Sequence, residues 1–146
     1  MSRLKHPLAL LSVALLLASC ANTGSNIAQD RNPDAVIGKV WQWEATVTPV
    51  EQLTVSAPER YTLQLQADGR ALIRFDCNRG GGSYQIEIGR LSFGPTMSTR
   101  MACPPESLDH RYAQDLARIS SFFVEGSKLY LELPADSGSM RFRSGN

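Results

Sequence analysis

From Val40 the chain alternates apolar and polar positions, with Trp41, Trp43, Ala45 and Val47 on one side and Gln42, Glu44 and Thr46 on the other. A period of two over this length predicts a half-buried β-strand. Tyr61–Leu65 repeats the alternation, Asp68-Gly69 supplies a hairpin turn, and Ala71, Ile73 and Phe75 return facing inward. Ser83–Ile88 then puts Tyr84, Ile86 and Ile88 on one face, Gly89-Arg90 turns the chain, and Leu91–Phe93 starts another strand that Gly94–Met97 breaks. Beyond Pro104-Pro105 the period changes. Leu108, Tyr112, Leu116 and Ile119 recur at helical spacing, which predicts one amphipathic helix over 106–119 with proline and acidic residues at its start. Ser121–Glu125, Lys128–Leu133 and Met140–Arg143 complete a meander. Hairpins in series pair antiparallel, and no repeated strand–helix alternation exists to build a parallel sheet. The expected fold class is α+β, a curved antiparallel sheet or partial barrel covered by one helix.

The N-terminus follows other rules. Arg3 and Lys5 precede an apolar run from Leu8 to Ala18 that only Ser12 interrupts. The run is too short to cross the roughly 30 Å core of a bilayer as a helix, and its charge, apolar centre and small-residue end predict an export signal over 1–19. Leu17-Ala18-Ser19-Cys20 resembles the lipobox of bacterial lipoproteins, which implies cleavage before Cys20 and acylation of that cysteine. Acyl chains contribute about 0.8 kcal/mol per buried CH₂, so the membrane is an expected partner without any spanning helix. Ala21 after the cysteine implies, by the same resemblance, outer-membrane sorting with the domain facing the periplasm. Residues 20–35 are polar, aperiodic and poor in bulky apolar side chains, the composition of a flexible tether. A single domain is expected over 36–146.

Composition narrows the partners. With 15 Lys+Arg against 14 Asp+Glu in 146 residues the net charge is +1. No basic run stands out, so nucleic acid is not an expected partner. Two histidines and three cysteines, one of each within residues 1–20, leave too few soft ligands for a His/Cys metal site, and no cofactor is expected.

Candidate chemistry is sparse. Cys77-Asn78-Arg79-Gly80-Gly81-Gly82 lacks the spacing and lysine of a phosphate loop and reads as a tight inter-strand turn whose glycines take positive φ. Cys77 as a nucleophile would need His110, which lies off the apolar stripe of the helix. In an oxidising compartment Cys77 and Cys103 can pair as a disulfide, the alternative being two buried free thiols. Trp41 and Trp43 could stack on a sugar, but an alternating face more often supplies core packing. Glu44, Asp76 and Glu87 occupy outward strand positions near arginines and read as solvated sheet charges rather than a glycosidase acid pair.

Taken together, Gly38-x-x-Trp41, Tyr61-Thr-Leu-x-Leu-x-x-Asp-Gly-Arg70, Cys77-Asn-Arg with Gly82-x-Tyr84, Thr99-Arg-Met-Ala-Cys103 and Gly126-x-x-Leu-x-Leu131 resemble the META domain of HslJ-like bacterial envelope proteins. Asp76 stands where that pattern suggests a small residue, often glycine. The resemblance implies a small α+β domain of heat- or stress-associated envelope proteins, often lipoproteins, with no established enzymatic activity. The expected function is that of a non-catalytic outer-membrane lipoprotein, a monomer, supporting stress tolerance by contacting another envelope component. The alternative is a periplasmic module that binds a small molecule or inhibits an enzyme. In either case the irregular segments carrying Asn78, Arg79, Thr99, Arg100 and Met101 form the expected contact surface.

Overall fold

The computed structural model describes Met1 and residues 28–145. The export signal, Cys20 and the first part of the tether lie outside the described residues. Nine strands and one α-helix follow in the order β1 (Val40–Val47), β2 (Gln52–Thr54), β3 (Tyr61–Leu65), β4 (Arg70–Phe75), β5 (Asn78–Glu87), β6 (Arg90–Ser98), α1 (Asp109–Leu116), β7 (Ser121–Glu125), β8 (Lys128–Glu132) and β9 (Ser139–Ser144). All strand pairings are antiparallel, and β9 returns to pair with β1, so the curved sheet closes into a ring. The α+β expectation holds at this level. Most neighbours are consecutive hairpins because the turns are short and carry glycine at positive φ, Gly69 (83°), Gly89 (72°) and Gly126 (58°).

The ring has one thin seam. β6 and β7 share only the Arg90↔Ser121 register pair, because the segment carrying α1 lies between them in the chain. The N-terminal segment covers part of the gap. Asp30 exchanges two backbone hydrogen bonds with Val124, at 2.8 and 2.7 Å, and the Gly89 N–H donates to the Arg31 carbonyl at 2.9 Å. The Arg31 guanidinium sits 5.4 Å over the Phe123 ring and 3.6 Å from the Glu132 carboxylate. Residues 30–35, read from composition as tether, are thus part of the folded domain; backbone pairing holds them where side-chain hydrophobicity is lacking.

The interior is filled by aromatic side chains. Tyr112, the central residue of α1, stacks on Trp43 at 4.9 Å and meets Tyr61 and Phe75 edge-on, each at 5.8 Å, so the helix plugs the ring. Trp41 and Trp43 are core residues, 1% and 0% exposed. The helix is shorter than its periodicity predicts, Asp109–Leu116 rather than 106–119; Leu108 occupies its N-cap without a capping side chain, and Ile119 is buried beyond its end.

Three other expectations are corrected. In β1 a register shift between Trp43 and Ala45 inserts a bulge, so Thr46 is buried and Val47 is exposed. Gly94–Met97 does not end its strand, since β6 continues to Ser98 after a bulge opposite Gly82/Tyr84. Ile88 lies in the turn and is 82% exposed.

Candidate functional site

The β4–β5 turn consists of Asp76 and Cys77, with Phe75 and Asn78 paired on either side of it. Asp76 takes φ 61°, the conformation glycine adopts freely and aspartate tolerates better than most residues. This accounts for the small residue that the family pattern suggests there. Asp76 is not a solvated sheet charge. It is buried, its backbone N–H donates to the Arg60 carbonyl at 2.8 Å, and Arg60 Nε donates to its carboxylate at 2.5 Å. Glu44 is half-buried and paired with Lys128 at 2.7 Å, whereas Glu87 is exposed as its sequence position suggests.

The glycines beyond the turn do not form it. Gly80, Gly81 and Gly82 lie inside β5, none with positive φ. A Cβ at Gly80 or Gly81 would collide with the backbone carbonyl of Met97 or Ala71 on the neighbouring strands. Close backbone approach, not turn geometry, requires glycine here.

Cys77 and Cys103 form a disulfide with Cα atoms 5.6 Å apart. Beside it, Asn78 is 5% exposed. Its Oδ1 accepts from the Thr99 hydroxyl at 2.9 Å and the Met101 N–H at 2.8 Å, while its Nδ2 donates to the Met101 carbonyl at 3.1 Å and lies 3.3 Å from Cys103 Sγ. Thr99 N–H donates to the Arg79 carbonyl at 3.0 Å, and the Leu108 N–H donates to the Tyr61 hydroxyl at 2.9 Å. One buried amide and one disulfide thus fix the backbone of 99–103, and the Arg100 and Met101 side chains are left on the surface.

These side chains border a surface groove of about 450 Å³ between that segment and α1, lined among others by Phe75, Thr96, Asp109, His110 and Ala113. Met101 is 63% exposed on this groove, whereas Met97, 80% exposed, pairs with Gly81 and faces the other side of β6 from the groove-lining Thr96 and Ser98. His110 is exposed, off the buried face of the helix as its register predicts. Arg79 does not join this groove: it is exposed and lines a separate cleft on the outer face of the sheet. Of the five expected contact residues, Thr99, Arg100 and Met101 are exposed on the groove, the buried Asn78 borders it and holds it up, and Arg79 lines the separate cleft.

One buried polar cluster escaped the sequence reading. Asp115 on α1 is 3% exposed and accepts from the Thr46 hydroxyl at 3.1 Å and from Arg111 Nε at 2.9 Å. Arg111 also pairs with Glu51 at 2.9 Å, and the carboxylates keep its guanidinium charged, raising its pKa. The four-residue spacing of Arg111 and Asp115 was the available signal. Among the described residues no group of three or more His, Cys, Asp or Glu side chains lies close enough to hold a metal ion.

The disulfide, the buried asparagine and the closed ring of strands belong to the stretch that a family profile, the META domain, matches over residues 35–145. The chain belongs to the META domain family. Solved structures share the fold of this META domain. A protein from Burkholderia xenovorans, determined by NMR, is 24% identical with a TM-score of 0.65 over 97% of this chain and 98% of its own. A DUF4847 family protein from Bacteroides vulgatus ATCC 8482, crystallised and refined at 1.00 Å, is 9% identical with a TM-score of 0.59 over 75% of this chain and 94% of its own. A second NMR structure is 16% identical with a TM-score of 0.59. No curated protein matches the chain.

Proposed function

We propose that this META-domain protein is an exported lipoprotein, acylated at Cys20 and held at the outer membrane, whose domain contacts another envelope protein in support of stress tolerance and performs no catalysis. The observation that carries the binding reading is the exposed Met101 beside the exposed Arg100, on backbone fixed by Asn78 and the Cys77–Cys103 disulfide. Flexible, polarisable methionine with arginine on a rigid frame suits a protein partner. The filled interior of the ring favours surface contact over capture of a ligand inside it.

Two measurements test this reading. Mass spectrometry of the native N-terminus should find acylated Cys20; an unmodified Cys20 in a soluble mature chain refutes the anchor. A photo-crosslinking residue at Met101 in the full chain, expressed in its own envelope, should give one discrete adduct that Arg100→Glu abolishes. The same probe at Val50, 95% exposed on another loop, should give none. Adducts of equal yield at both positions refute the groove as the contact surface.

A further inference from the structure

The outer face of the sheet carries a cleft of about 410 Å³, distinct from the methionine groove, across β1, β3, β4 and β5. That volume falls within the roughly 300–1,000 Å³ of small-molecule sites. Val40 and Leu72 supply an apolar floor, bordered by the backbone of Gly80. Leu72 is 45% exposed, an apolar side chain turned to solvent.

Arg74 and Arg79 line the same cleft and are direct cross-strand partners in the β4–β5 ladder. Like charges opposite one another cost stability in a sheet. Among the described residues neither arginine has a carboxylate at ion-pair distance. Arg74 is held instead by two backbone carbonyls, its Nε donating to Asp76 at 3.1 Å and its Nη1 to Glu59 at 3.3 Å. These bonds fix the guanidinium without neutralising it. Arg79 is exposed, so it can swing onto a bound group.

From this placement we propose that the cleft binds a single-chain anionic amphiphile, its phosphate or carboxylate head bridged by Arg74 and Arg79 and its apolar body lying over Val40, Leu72 and Gly80. Paired guanidinium donors match the oxygens of such a head. The head relieves the Arg–Arg repulsion, and the floor gives the tail a surface that water hydrates poorly.

The test is calorimetric titration of the full mature chain, carried in phosphatidylcholine nanodiscs, with octyl phosphate, against blanks of empty nanodiscs. Saturable one-to-one binding is expected, weakened about tenfold or more in Arg79→Gln, since a charge-assisted hydrogen bond is lost. Leu72→Asp should weaken it as well. Both positions are exposed, and an unchanged thermal midpoint confirms folding of each variant. Inorganic phosphate should bind at least tenfold more weakly than octyl phosphate, and octanol likewise. Equal affinity of octyl phosphate for wild type and Arg79→Gln overturns the proposal, as does phosphate or octanol binding as tightly as octyl phosphate. Arg79-dependent binding to phosphatidylglycerol vesicles without binding of octyl phosphate overturns it too, since the bilayer surface would then be the ligand.

Discussion

Replacing Tyr112 with alanine and, separately, with phenylalanine resolves two opposed contributions of one side chain. The ring is fully buried, 4.9 Å from Trp43, 5.8 Å from Tyr61 and Phe75, and 6.2 Å from Phe142. Truncating such a residue to alanine costs about 3–5 kcal/mol, and the several aromatic partners here put the expectation near the upper end. At roughly 2–8 °C per kcal/mol for domains bracketing this size, the melting temperature should fall by at least about 10 °C. The hydroxyl works the other way. It is buried with no hydrogen-bond partner among the described residues, and leaving a polar group unpaired costs about 1–3 kcal/mol. Tyr112→Phe keeps the ring, removes that cost and should stabilise by about 1 kcal/mol. Burial also raises the phenol pKa well above its ordinary value of 10.0. With its folded pKa above the unfolded one, the native state retains the proton while unfolded chains release theirs, so stability falls as pH rises past about 10. Tyr112→Phe should lose less stability there than wild type. Urea unfolding followed by tryptophan fluorescence, at pH 7 and above 10, reads all three effects. A loss of more than about 1 kcal/mol in Tyr112→Phe would show that the hydroxyl is satisfied and refute the reasoning.

The Cys77–Cys103 bond closes a loop with a sequence separation of 26, so Cys77→Ser/Cys103→Ser should lower unfolding free energy by about 3.5 kcal/mol in the chain-entropy treatment, read by urea melts. A loss below about 1 kcal/mol would mean that Asn78 alone fixes the 99–103 segment. Asp115→Ala leaves the Thr46 hydroxyl and Arg111 without their buried acceptor and should cost about 2–4 kcal/mol, while Glu51→Ala, at the exposed end of the same chain of contacts, should cost less than about 1 kcal/mol. Equal losses would place the energy in the surface pair. In membranes containing a lipid-borne quencher, a fluorophore at Ile88 should be quenched and one at Met101 should not; equal quenching would show that the domain has no preferred orientation.

The strands were legible because each is held by side chains that alternate in and out. Ala71, Ile73 and Phe75 are buried as their spacing requires. Legibility failed where the backbone departs from a plain ladder. The bulge at Trp43/Ala45 exchanges Thr46 for Val47 in the interior, and Thr46 is affordable there only because Asp115, 69 positions away, accepts its hydroxyl. No local pattern encodes that partner. The triple glycine was misplaced for a related reason: its signal is close approach of neighbouring strands, which depends on what they are and not on its own sequence. At the candidate site, Asn78 and Thr99 to Met101 were found by position beside two cysteines, but whether each supports the surface or forms it follows from burial. An asparagine amide suits both roles equally well.

The seam between β6 and β7 gives the ring a direction. Asp30 and Arg31 lie against Val124 and Gly89, so the N-terminal segment leaves the domain at the end where β5 turns into β6. With the acyl group that we propose at Cys20, the intervening chain would reach at most roughly 36 Å from the membrane surface. β6 runs away from it for nine residues, roughly 30 Å as a strand, and ends at Met97 and Ser98. Met101 and Arg100 follow directly, fastened by Asn78 and the disulfide. A loop at the far end of a long strand would ordinarily be the part of a small domain most free to fray. Here the amide and the covalent bond hold it, so the groove bearing Arg100 and Met101 is ordered before any partner could meet it.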